Sequence, residues 1–143
     1  MTVKGRLALN RSRDWLYEAK GDLDHARKSV AMGDFNWACF AAQQAAEKAA
    51  KALHLHQGTV AWGHSVRELL EAFPPEAAPG QEIKEAGRSL DRHYIPSRYP
   101  NAHPSGAPRQ SYTEDEARQA VADAEKVVNW CDQSLPTPTQ PSH

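Results

Sequence analysis

Seven alanines between residues 41 and 52 constrain this chain more than any other feature: Ala41, Ala42, Ala45, Ala46, Ala49, Ala50 and Ala52. Alanine is the best helix former, and so small a side chain lets neighbouring helices approach closely. The run predicts a helix from about Phe35 to Gln57, capped by Asp34 and closed by Gly58. Around it the apolar residues keep a helical period. Leu16, Ala19, Leu23, Ala26 and Val30 share one face of a helix over about 12–32, which Ser12 can cap and Gly33 ends. Ser65 and Glu68 form a capping-box pair before Val66, Leu69, Leu70 and Phe73, and Pro74-Pro75 stops that short helix. A fourth helix is expected over 81–94 on Ile83, Ala86, Leu90 and Tyr94. Thr113 and Glu116 open a long last helix whose inward face is Ala117, Ala120, Val121, Ala124, Val127, Val128, Cys131 and Leu135. No stretch alternates with period two, so no strand is expected. The reading is all-α: an antiparallel bundle of four main helices plus a short additional one. The domain spans 12–135, with a flexible lead-in over 1–11 and a disordered proline-rich tail over 136–143.

With 143 residues the chain suits one domain, and a net charge of −1 excludes the broad basic field that holds long nucleic acid. Nothing at the start resembles a signal peptide, and no apolar run nears the ~18 residues of a membrane helix, so a cytoplasmic protein is expected. Cys39 and Cys131 read as reduced core thiols. Glu47 and Lys51 form an i,i+4 pair expected on a solvated helix face. The alanine faces, with Phe35, Trp37 and Phe40, offer more apolar surface than a small monomer should expose, which points to self-association.

The chemistry concentrates in Tyr94–Pro104. Pro96, Pro100 and Pro104 forbid a helix there and stiffen the loop. It carries Arg98 and His103 with four residues between them. A histidine supplies an acid or base near neutral pH, and an arginine holds phosphate with a planar fork. The bland alternative is that Arg98 anchors the loop to a helix C-terminus and His103 lies at the surface. Five cations stand against two anions between Lys84 and Gln110. Arg88, Arg92 and Arg109 are candidate phosphate contacts, and Tyr94, Tyr99 and Tyr112 candidate stacking faces. His54, His56 and His64 lack the spacing of a metal site, and His64 is expected to make a structural hydrogen bond. No cofactor is called for, since no glycine-rich phosphate loop is present.

Four stretches together resemble the HEPN domain family (higher eukaryotes and prokaryotes nucleotide-binding). They are Met32-Gly33-Asp34-Phe35-Asn36-Trp37-Ala38, then Ala42 to Leu53, then His64-Ser65-Val66-Arg67-Glu68-Leu69-Leu70, and finally Leu90 to Pro100 with its Tyr94-Ile95-Pro96-Ser97-Arg98-Tyr99-Pro100. The resemblance implies the helical bundle and a homodimer. Many members are metal-independent endoribonucleases with an Arg-x4-6-His motif, met by Arg98 and His103, in a site made by both protomers. The resemblance further implies a toxin whose antitoxin is a nucleotidyltransferase-like protein, cutting RNA to leave 2′,3′-cyclic phosphate ends. Where some toxin members carry a modifiable tyrosine two residues after the histidine, this chain has Ser105. The other role in the family is a non-catalytic module that binds a nucleotide or docks a partner, through Arg88, Arg92 and Arg98.

Overall fold

The alanines of residues 41–52 are all buried, and the fold follows from that. The computed structural model describes residues 3–59 and 62–136. Helix α1 spans Val3–Met32 and α2 spans Phe35–Gln57. A short α3 spans Val66–Glu71 and α4 spans Gln81–Asp91. A single 3-10 turn at Pro100–Ala102 and a four-residue α5 at Pro108–Ser111 lead to α6, Glu114–Ser134. Among the described residues there is no strand.

Helix α2 is the central element. It packs on α1, α6, α3 and α4. Only a helix with small side chains on several faces can take neighbours on several sides at close range. Leu16 and Leu23 of α1, Leu53 of α2, Leu69 and Leu70 of α3, Leu90 of α4 and Val127 and Val128 of α6 complete the core. Each such side chain contributes roughly 1.5–3 kcal/mol by leaving water.

The α1–α2 turn is fixed at Gly33, whose φ of 81° is left-handed. Gly33 N–H donates to Val30 O at 3.1 Å and Asp34 N–H to Ser29 O at 2.9 Å, the paired bonds of a Schellman motif. Gly58 closes α2 in the same way, with Thr59 N–H on His54 O at 3.0 Å.

Several expectations change. Helix α1 starts at Val3, so Ser12 is no cap but a buried residue inside the helix. Helix α4 ends at Asp91, three residues before Tyr94. Asp91, the last residue of α4, serves α3: its carboxylate accepts from Ser65 Oγ at 2.8 Å and from the N–H groups of Val66 and Arg67 at 2.6 and 3.2 Å. Ser65 Oγ accepts from Glu68 N–H as expected, at 3.1 Å. The alanine faces offer no surface for self-association, because α1 and α6 already cover them. Glu47 is not on a solvated face either; it is 4% exposed. The proposed tail lies, from Thr137 onward, outside the described residues.

Candidate functional site

Local turns, not a free loop, carry the chain past α4. Arg98 and Tyr99 N–H both donate to Ile95 O, at 3.0 and 3.2 Å. Ser97 is buried, its hydroxyl donating to His93 O and its carbonyl accepting from Asn36 Nδ2 at 3.1 Å. That last bond ties the loop to the first turn of α2.

Arg98 is placed by this frame. Its Nε and Nη2 donate to Tyr94 O at 3.0 and 2.6 Å. Its guanidinium carbon lies 4.1 Å from the Phe40 ring centre, 4.9 Å from Tyr94 and 5.0 Å from Tyr99. Aromatic faces hold a guanidinium plane well. Among the described residues Arg98 has no carboxylate partner, so its charge is not neutralised, and its Nη1 edge takes no part in the Tyr94 bonds.

His103 follows the 3-10 turn. Its Nε2 lies 2.6 Å from Pro96 O. A carbonyl only accepts, so Nε2 carries the proton and the lone pair of the neutral ring sits on Nδ1. That tautomer leaves a basic nitrogen free of the Pro96 contact. The ring stands edge-on to Tyr112, 6.3 Å between centres.

A cleft of about 350 Å³ opens beside Arg98. Asp34, Asn36 and Trp37 from the start of α2 line it together with Arg98, Pro100, Pro108 and Arg109. Trp37 and Tyr99 are each 50% exposed. The structure thus gathers Arg98, Tyr94, Tyr99 and Arg109 around one region. His103 is on the same loop but is not a wall of this cleft. Arg88 is elsewhere: with Arg67, Glu71, Lys84 and Glu85 it lines a second cleft between α3 and α4. Arg92 folds back on Ser89, bonding its carbonyl at 3.3 Å and its hydroxyl at 3.1 Å. Tyr112 is buried with its hydroxyl 3.1 Å from His93 Nδ1, which removes it as a stacking face. Burial pushes its phenol pKa up and, with Arg92 nearby, pushes His93 down to about 4.

A second polar cluster supports the loop from beneath. Glu47 receives Lys51 Nζ at 3.0 Å, Gln43 Nε2 at 3.2 Å and His64 Nδ1 at 3.1 Å. Gln43 Nε2 also donates to His64 O at 2.9 Å. The His64 ring stacks on Tyr94, 4.5 Å between centres. His64 therefore does make a structural contact, and it does so under the residue whose carbonyl holds Arg98. His54 is a core histidine, 2.6 Å from both Thr59 Oγ1 and Leu69 O and stacked on Phe73 at 3.8 Å. Among the described residues no group of His, Cys, Asp and Glu is arranged to hold a metal ion. Cys39 and Cys131 are buried free thiols; burial raises both, Cys39 to about 12. No described helix is long and apolar enough to cross a membrane.

Sequence reasoning missed Asp34, Asn36 and Trp37 as cleft residues. Their signal was the Gly33 turn, which brings the start of α2 against the proline loop, but periodicity alone assigns them to capping and packing.

The chain matches the HEPN domain model over residues 12–134. A Thermus thermophilus protein, TT1696, is 48% identical, covering 88% of this chain and 99% of that one, with a TM-score of 0.86. An archaeal HEPN homologue is 36% identical over 87% and 98% of the two chains, TM-score 0.76. A HEPN domain protein from Thermotoga maritima is 37% identical over 84% and 95%, TM-score 0.65. No curated protein matches the chain.

Proposed function

The chain belongs to the HEPN domain family, and on that premise we propose that it is a metal-independent endoribonuclease whose Arg98 and His103 act at a site completed by a second copy. The observation that carries the reading is the state of Arg98: a guanidinium fixed by Tyr94 O and three rings, unneutralised, on the wall of an open cleft. Such a group binds phosphate and stabilises charge developing on it. His103 on the same loop has its Nδ1 lone pair available as a base.

In this reaction His103 Nδ1 takes the proton of a ribose 2′-hydroxyl. The 2′ oxygen bonds to phosphorus, the bond to the 5′ oxygen breaks, and His103 of the second copy, protonated, gives its proton to that oxygen. The products are a 2′,3′-cyclic phosphate and a 5′-hydroxyl. Only one of the seven histidines, His103, is assigned a catalytic role in each chain, which favours a dimer, since base and acid are both needed in one turnover. The family resemblance supports a toxin role with a nucleotidyltransferase-like antitoxin as partner.

The test is incubation of the dimer with total RNA in EDTA, beside Arg98→Ala and His103→Ala. Cleavage by the parent alone, leaving cyclic phosphate ends, is expected. Undiminished cleavage by His103→Ala removes its assigned role. A second reading, a nucleotide-binding or partner-docking module, is favoured by the two Arg98 donors already used on Tyr94 O. Heat on titrating ATP, GTP or their monophosphates, with no RNA cleavage, selects it.

A further inference from the structure

We propose that the Arg98 cleft contains a base-recognition subsite for guanine, formed by Asp34 and Trp37. The inference rests on reading that cleft as a nucleotide site. Asp34 stands at the cap position of α2, yet its side chain makes no capping hydrogen bond, and it pairs with no cation among the described residues. It is exposed and lines the same cleft as Arg98 and Arg109. A carboxylate there repels phosphate, so it suits a neutral group that offers N–H donors. Ionised, it accepts only, and does so with two oxygens side by side.

Of the four RNA bases, guanine alone presents two adjacent donors on its pairing edge, N1–H and the N2 amino group. Adenine and cytosine place one donor beside an acceptor, and uracil places one donor between two acceptors. A bare carboxylate is therefore fully matched by guanine and leaves an unmet or repelled acceptor with the others. The half-exposed indole of Trp37, which lines the same cleft, supplies the face on which an unstacked base rests. The cleft's volume of about 350 Å³ accommodates a base with its phosphate on the arginines.

The experiment is calorimetric titration of the full chain with GMP, AMP, CMP and UMP, repeated on Asp34→Asn and Trp37→Ala. Asparagine caps a helix as well as aspartate does, so Asp34→Asn keeps the fold. The parent is expected to bind GMP about tenfold more tightly than the other three, the size of one good paired contact. Asp34→Asn is expected to bring all four within about twofold, with AMP affinity unchanged. Trp37→Ala is expected to weaken all four by roughly tenfold, as loss of a stacking platform does. Equal affinities in the parent, a guanine preference that survives Asp34→Asn, or no binding at all overturns the subsite. RNA cleavage in EDTA without base preference overturns the subsite and leaves the ribonuclease standing; guanine-selective binding without cleavage does the reverse.

Discussion

Arg98 shows how one residue can serve structure and function together. Its Nε and Nη2 hold Tyr94 O, and its plane lies over Phe40. Lysine keeps the charge but has neither the fork nor the flat face. Arg98→Lys is therefore expected to lower stability by about 1–2 kcal/mol, read from urea unfolding, while also weakening phosphate binding. His93 gives a separate, pH-dependent prediction. It is 7% exposed and its pKa falls to about 4, chiefly through burial and then through Arg92. Folding thus favours the neutral ring. The unfolded chain, with a His pKa near 6.5, binds the proton more readily between those values. The stability from neutral His93 is fully present above pH 6.5 and is lost as pH falls toward 4, roughly 3 kcal/mol over the window. His93→Gln should flatten the fall in melting temperature between pH 6.5 and 4. An unchanged slope would show that other groups carry it.

At the scale of elements, two glycines make opposite predictions. Gly87 lies in α4 where it crosses α3, and a Cβ there would meet Leu70 Cδ1 at 2.9 Å and Val66 Cγ1 at 3.0 Å. Both neighbours are fully buried and cannot swing aside. Gly87→Ala gains about 1 kcal/mol in helix propensity but overpacks the contact at about 1–3 kcal/mol, so net destabilisation is expected. Gly21 sits mid-α1 with nothing within 4 Å of its missing Cβ. Gly21→Ala should stabilise by up to about 1 kcal/mol. Chemical denaturation of the two variants reads both signs. The elements themselves were legible because period 3.6 is a local signal: the second, third and last helices start where Asp34, Ser65 and Thr113 stand. What was not legible was long-range. Nothing near Ser65 announces that Asp91, at the far end of α4, caps α3. The depth of Glu47 was likewise hidden, since an i,i+4 pair reads the same on a wet face or beneath a loop.

For the whole molecule, the question is what meets the surface beside the cleft. Spacing and residue type single out Arg98 and His103 as candidates, and Arg98 does line the cleft, but the spacing says nothing of Asp34, Asn36 and Trp37, which arrive through tertiary contact at the Gly33 turn. The proline loop leaves Ile95 and Tyr99 exposed around Arg98. With the alanine faces internally covered, these aromatic and aliphatic groups are what a second copy has available here. The proposed dimer therefore closes over the loop itself, not over α2. Ile95 is 45% exposed and its side chain has no role in holding Arg98, so Ile95→Asp places a charge in that interface without dismantling the site. Light scattering is expected to give twice the chain mass for the parent and the chain mass for Ile95→Asp, with circular dichroism unchanged. RNA cleavage should fall at least about a hundredfold in the variant, because each protomer would then hold a base without its acid. A monomeric Ile95→Asp that cleaves as fast as the parent would confine the reaction to one chain, and His103 would then need another proton donor within its own protomer.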